Sequence, residues 1–318
     1  METKTFTEFL KENIRELKQE GRYGTAYVYL YTLKAMTVFA KTDTLLFKDI
    51  TREKMIKFQK HLRDRQLSWN TVSTYARVIR ATYNRAVDEG LIKGEYRLFS
   101  GIYTGVKTSR KLALESQEMK ILTEGNPGIK LSHELKRAQD AFTLMTSLQG
   151  MPFVDLVHLK REDLKRDNRN GAFITCLRQK TGTELNIAVL PKVAKLIERN
   201  RSKNEHSPYL LDFLSGCQTG EMEFYEYRKL LYKTNYQLAK LAKLYGMNVH
   251  VSTYTPRHTW GTLAKYCQVP EEIISEGLGH SSLEVTRTYL KSFQGGELDK
   301  ANKLIYNYIR TGRKIIWR

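Results

Sequence analysis

Residues 251–293, VSTYTPRHTWGTLAKYCQVPEEIISEGLGHSSLEVTRTYLKSF, hold an ordered set of reactive side chains. Tyr254, Arg257, His258 and Trp260 come first, Leu278-Gly279-His280 follow, and Tyr289 stands nine residues after His280. Upstream, Lys180 begins a Lys-Thr-Gly turn and Arg178 lies two residues before it. These side-chain types suit attack on a phosphodiester. A phenol with a pKa of about 10 is a weak nucleophile until it is positioned and activated. A guanidinium offers planar, permanent, bidentate charge to non-bridging phosphate oxygens. A lysine at a hairpin tip can pass a proton to a departing oxygen, and an imidazole can hydrogen-bond the same phosphate. Each residue also has an ordinary explanation. Tyr289 is one of 19 tyrosines, Arg257 alone reads as a surface arginine, and a turn lysine is usually solvated. His280 after Gly279 can simply start a helix, and Trp260 reads as core.

The elements that would carry these residues follow from periodicity. Apolar positions recur at helical spacing over 5–19, where Phe6, Phe9, Leu10, Ile14 and Leu17 fall on one face. Further helices are expected at 24–41, at 51–63 behind a Thr51 cap, and at 69–89, stopped at Gly90. The fourth interleaves Arg77, Arg80 and Arg85 with Tyr75 and Tyr83, which gives the first hundred residues a basic side. Residues 94–114, GEYRLFSGIYTGVKTSRKLAL, break the pattern with three glycines and a basic group at Lys107, Arg110 and Lys111. The expected division is therefore 1–95 helical domain, 96–115 linker and 116–318 second domain. In the second domain, helices are expected at 117–124, 133–148, 152–159, 192–203, 222–245, 255–267, 270–278 and 282–293. AFITCLRQ and ELNIAVL alternate as two strands of a hairpin around Lys-Thr-Gly. An amphipathic segment around Leu304, Ile305, Tyr308 and Ile309 ends the chain.

The set at 254–289 resembles the tyrosine recombinase (phage integrase) family. That family carries H-x-x-R-H-[TS]-[FW], then L-G-H after about 20 residues, then its nucleophilic tyrosine nine residues on. LRQKTGTELNIAVLP is similar to the family's lysine hairpin, and AFTLMTSLQGMPFVDLVHLKREDL to its first box, where a helix-rich stretch ends in Gly-hydrophobic and continues to an acidic-Leu pair. Residues 5–90 resemble its helical SAM-like core-DNA-binding domain. The fold this implies is mainly α (α+β): an N-terminal helical DNA-binding domain and a C-terminal mixed catalytic domain with a small β-hairpin sheet. The activity it implies is site-specific recombination, with one DNA strand held as a 3'-phosphotyrosine and resealed by a partner 5'-hydroxyl, without metal, ATP or other cofactor. On this resemblance Tyr289 is the nucleophile, Lys180 the general acid, and Arg257 and His280 phosphate ligands. Arg77, Arg80, Arg85, Lys107, Arg110 and Lys111 fall to the DNA backbone. The family's C-terminal helix docks into a neighbour, so residues 300–311 imply a homotetramer on two DNA sites. The length leaves no room for an additional arm-binding domain, which points to a divergent mobile-element branch, integrase-like or invertase-like.

The chain departs from the family at two places. The first box normally supplies a second arginine; its position is Pro152 in the common pattern and Gln149 in the divergent one. Losing one preorganised donor of this kind costs about 2.7–4 kcal/mol, or roughly 10²–10³ in rate. Either another cation substitutes, or the enzyme is slow, or it is inactive. Arg178 is the preferred substitute, because strand residues two apart face one side; Arg137 and Arg161 are weaker candidates. The second departure is mild: Tyr254 replaces the first histidine of its box and still offers a hydroxyl donor.

Composition agrees with a nucleic-acid partner. The 318 residues carry 53 basic and 34 acidic side chains, a net charge of +19. Residues 1–50 hold 8 basic and 7 acidic residues, whereas 51–100 hold 11 and 5, so the charge is clustered as a phosphate-contacting surface needs. Gly and Pro together number 26, too few for a disordered or fibrous chain. No apolar run approaches the roughly 20 residues of a membrane span, and the charged N-terminus is no signal peptide. Cys176, Cys217 and Cys267 are too scattered for a disulfide framework or a zinc site, which suits a cytoplasmic setting. Three other functions compete. A catalytically silent DNA-binding protein would leave the set Lys180, Arg257, His280 and Tyr289 without purpose. A type IB topoisomerase shares the chemistry but would not need the terminal exchange segment. A metal-dependent nuclease lacks carboxylate-histidine spacing.

Overall fold

The computed structural model describes residues 4–106, 113–167, 171–280 and 282–289. The chain divides into two compact units. One comprises residues 1–109 together with 217–229, and the other 110–216 together with 230–318.

The first unit is built on four helices: α1 (Phe6–Gln19), α2 (Tyr23–Ala40), α3 (Arg52–Asp64) and α4 (Trp69–Asp88). Their starts are encoded locally. Thr5 accepts from the Glu8 amide while Glu8 reaches back to Thr5, a capping box that satisfies two otherwise orphan N–H groups. Thr51 caps α3 as expected. The cap of α4 is Ser68, whose Oγ accepts from the Thr71 amide at 3.2 Å. The apolar stripes meet in one core around Phe6, Phe9, Leu10, Met55, Phe58, Leu62 and Ile79. Leu98 and Ile102 are buried in the same core, so this part of the expected linker is structural. Residues 217–229 join this unit because Phe224 packs on the rings of Tyr23 and Tyr27 and the Arg228 guanidinium sits over Tyr27. Sequence periodicity gives no sign of that return.

The second unit holds α5 (Ser116–Glu124), α6 (His133–Ser147) and α7 (Phe153–Val157), then strands β1 (Leu164–Asp167), β2 (Gly171–Leu177) and β3 (Glu184–Val189). After them come α8 (Pro191–Arg199), α9 (Gly220–Leu244), α10 (Thr255–Tyr266), α11 (Glu271–Gly277) and α12 (Leu283–Tyr289). The first ten residues of α9 cluster with the first unit. The sheet is antiparallel in the order β1-β2-β3, with Cys176 opposite Leu185. β1 is an addition to the expected hairpin; its sequence, LKRD, is too short and charged to show alternation. α7 is shorter than expected because Pro152 can only precede it. The core gathers Leu114, Leu122, Leu135, Phe142, Leu238, Leu241 and Val251, with Ile274 and Leu278 packed under Trp260. Leu114 thus belongs to this core and not to a free linker. Among the described residues no helix is long and apolar enough to cross a membrane. Lys107, Arg110 and Lys111, and the segment 300–311, lie outside the described residues.

Candidate active site

The site is assembled where α10, α11 and the β2–β3 hairpin converge. Along β2 the inward positions are Ile174 and Cys176, and Arg178 continues the same side at only 8% exposure. Burial pushes the Cys176 thiol up to about 11, consistent with an inert core thiol. The hairpin closes as Arg178 N–H donates to the Thr183 carbonyl at 2.9 Å. Residues 179–182 form the turn, with Gly182 at φ +65°, and Lys180 projects exposed at its tip. Strand alternation therefore ends at Arg178, and Lys180 owes its placement to the turn and not to a shared strand face.

Arg178 is locked in place. Its Nε donates to Asp155 Oδ2 at 3.3 Å, and its Nη1 to the carbonyls of Leu278 at 2.7 Å and Gly279 at 3.0 Å. The other Asp155 oxygen accepts the Gln179 amide at 2.9 Å. Asp155, 4% exposed, thus fixes both the arginine and the base of the lysine hairpin. Its only sequence signal is the acidic-Leu pair of the first box. Arg178 Nη2 has no protein acceptor among the described residues.

Arg257 lies on α10, whose first turn carries Pro256, a residue suited to a helix start. It is 3% exposed. Nη1 donates to the Gly150 carbonyl at 3.2 Å, and Nη2 reaches the Leu278 carbonyl and His280 Nε2, the latter at 2.9 Å. Gly150 (φ +66°) makes this possible: a Cβ there would stand 2.9 Å from Arg257 Cα and 3.2 Å from Trp260 Cβ. Gln149 just before it is also left-handed, at φ 58°, and half-buried near Gly277. A non-glycine residue in that region marks local strain. Gln149 brings no charge to the site.

His280 follows Gly279 (φ +61°), and its ring Nδ1 pairs with Thr286 Oγ1 at 2.8 Å. Burial, then Arg257, Arg178 and Lys180, depress its pKa to about 4. The imidazole is therefore neutral at pH 7. Tyr254 is half-exposed, its ring edge-on to His258 at 4.9 Å. Tyr289 is the last residue of α12; its side chain lies outside the described residues.

The weaker candidates for a second cation are committed elsewhere. Arg161 donates to the carbonyls of Ser202, Asn204 and Ser207, and Arg137 to that of Asp212 with its guanidinium over Phe213. In the first unit, Arg77 and Arg80 are exposed on α4. Arg85 lies on another face, where it pairs with Glu16 at 2.5 Å and Glu89 at 2.8 Å. The arrangement as a whole presents buried, oriented cations beside a lysine-tipped hairpin, a geometry suited to a pentavalent phosphate.

Residues 5–100 match the phage integrase SAM-like domain, and residues 115–295 the phage integrase family. A tyrosine recombinase of Pseudothermotoga lettingae is 23% identical over 295 residues, 88% of this chain and 92% of that one. The Tn1549 transposon integrase, solved with transposon right end DNA, superposes with a TM-score of 0.62 at 13% identity, over 98% of this chain and 100% of that one. The XerH site-specific recombinase bound to difH gives 0.59 at 18%, over 88% and 79%. At such identities the structural likenesses speak for the fold.

Proposed function

The chain belongs to the phage integrase family of tyrosine recombinases, and on that premise we propose how its residues divide the work of recombination. It is a site-specific DNA recombinase, an enzyme that cuts and rejoins DNA; a catalytically silent role is not favoured. Tyr289 attacks the scissile phosphorus and the bond to the 5'-oxygen breaks. Lys180 gives that oxygen its proton. Arg257 receives the non-bridging oxygens, a phosphate oxygen being a stronger acceptor than the carbonyls it holds at rest. Arg178 supplies the second cation in place of the one absent at Gln149 and Pro152. Tyr254 donates its hydroxyl to the same phosphate, and Gln149 shapes the turn that seats Arg257. The single observation that carries this reading is convergence: Arg178 and Arg257 meet on the Leu278 carbonyl, with His280 against Arg257.

Arg77 and Arg80 serve as backbone contacts on double-stranded DNA, with Lys107, Arg110 and Lys111 in the connecting segment. The net charge of +19 favours such a partner. Four protomers act on two sites, exchanging the segment 300–311, whose apolar positions need cover. DNA as substrate places the work in the cytoplasm.

The test is covalent trapping. The protein is incubated without metal with nicked duplexes covering the DNA that flanks its own gene, and adducts are resolved on a denaturing gel. The wild-type chain forms an adduct and Tyr289→Phe forms none while still binding. Binding by wild type without an adduct, on DNA shown independently to contain the site, overturns the reading.

A further inference from the structure

Asn235 stands on the inward side of α9, in the row that Leu238 and Ala242 continue at helical spacing. That row packs into the core of the second unit, where a hydrophobe is the expected occupant, yet Asn235 is half-buried there. A polar side chain in such a place needs a hydrogen-bond partner. Its partner is the turn that leads into α10: the Thr253 amide donates to Asn235 Oδ1 at 2.8 Å. A backbone N–H only donates, so the atom facing it must be the side-chain oxygen, and this fixes the orientation of the whole amide. Nδ2 has no protein partner among the described residues.

The turn is closed by its own bonds. Ser252 N–H donates to Thr255 Oγ1 at 3.0 Å, Thr255 N–H returns to the Ser252 carbonyl at 3.0 Å, and Tyr254 N–H donates to Ser252 Oγ at 3.3 Å. Val251 is buried in the same core as Leu238 and Leu241. Asn235 adds a polar tie between this turn and α9. Tyr254 follows directly, half-exposed, with its ring edge-on to His258. A half-exposed ring takes little orientation from packing, so the backbone that carries it decides where its hydroxyl reaches. We infer that Asn235 is a positioning residue for the phosphate site: by accepting the Thr253 N–H it holds the turn 251–254 against α9 and aims the Tyr254 hydroxyl at the phosphate that Arg257 receives. The functional consequence rests on the reading of Tyr254 as a phosphate donor; the hold of Asn235 on the turn does not.

The experiment has two arms on the full chain. In the first, the protein is labelled with ¹⁵N-threonine, the Thr253 amide is assigned by difference against Thr253→Ser, and its exchange with heavy water is followed by NMR. The amide exchanges slowly in wild type and in Asn235→Asp, which keeps the acceptor. It exchanges roughly tenfold faster in Asn235→Leu, which keeps the approximate shape and removes the acceptor. In the second arm, covalent trapping is timed at saturating DNA, so that the charge added by Asn235→Asp acts on affinity and not on the rate. Asn235→Leu slows trapping roughly tenfold, the size of one lost hydrogen bond, with the half-saturating DNA concentration unchanged. Asn235→Asp restores most of the rate, and in a Tyr254→Phe background Asn235→Leu slows it no further. An asparagine that merely supports the fold would cost the same in both backgrounds, and that result overturns the inference. So does a Thr253 amide that exchanges alike in wild type and Asn235→Leu, or a Tyr254→Phe chain that traps at the wild-type rate. Should Asn235→Leu not fold, Asn235→Ala, with no bulk to misplace, replaces it in both arms. Absence of any wild-type adduct beside a protected Thr253 amide counts against the recombinase reading and leaves the hold of Asn235 on the turn in place.

Discussion

Arg178 and Arg257 donate to one and the same oxygen, the carbonyl of Leu278 at the end of α11. Asp155 sets a carboxylate against Arg178, with Oδ2 at 3.3 Å from Nε. Arg257 donates to the carbonyls of Gly150 and Leu278 and lies against the His280 ring. The pair thus presents two guanidinium groups converging on one point, and such groups suit the oxygens of a phosphate.

This relationship separates the structural and catalytic work of Arg178. Arg178→Ala leaves Asp155 buried without its partner, and breaking such a pair costs about 3–5 kcal/mol. The double variant Arg178→Ala/Asp155→Asn regains most of that stability in urea unfolding. Its adduct formation stays down by roughly 10²–10³, the loss expected for one preorganised donor. Recovery of activity together with stability would reduce Arg178 to a structural arginine.

Stability should fall on mild acidification because of His280. Its pKa is about 4 in the folded chain against 6.5 ordinarily, through burial first and then Arg257, Arg178 and Lys180. Between those two values the unfolded chain binds the extra proton, so stability rises with pH across that window. Thermal midpoints measured from pH 4.5 to 7 should climb less steeply for His280→Gln than for wild type. Parallel curves would show that the ring titrates normally in the fold.

Much of this architecture is legible in the sequence because it is local. Periodic Phe6, Phe9, Leu10 and Ile14 declare α1, and alternation through Leu185, Ile187 and Val189 declares β3. The ordered residues from Tyr254 to Tyr289 mark the candidate site. What escapes depends on contacts between distant residues. Arg85 reads like Arg77 and Arg80 until Glu16, 69 residues away, takes it up. Thr286 carries no motif of its own, and only the fold sets it against the His280 ring. β1 is hidden by its charges, and the return of Phe224 to Tyr27 by the length of chain between them.

Gly150 is required for two separable reasons. Its φ of +66° disfavours any side chain, at about 1–2 kcal/mol, and a Cβ would also press on the Arg257 backbone at 2.9 Å. Gly246 shares the first reason only, with φ +72° and open space around it. In urea unfolding Gly246→Ala should therefore lose just the backbone amount, and Gly150→Ala distinctly more, together with its trapping activity. Equal losses would mean that α10 yields freely to the added methyl.

The two faces of α4 should respond differently to charge removal. Arg80 is exposed, and no carboxylate is paired with it among the described residues, so Arg80→Gln should weaken DNA binding across sequences. Each phosphate contact contributes about 0.9 to the slope of log affinity against log salt, so that slope should flatten by roughly one. Arg85 is already neutralised by Glu16 and Glu89 and hydrogen-bonded to Asn13. Arg85→Gln should leave the salt slope unchanged and act, if at all, on the stability of α1 against α4. Exposed pairs of this kind contribute about 0.2–1 kcal/mol, which sets the size of that effect. A flattened slope for Arg85→Gln would mean that DNA strips the arginine from its carboxylates, and would return it to the binding face.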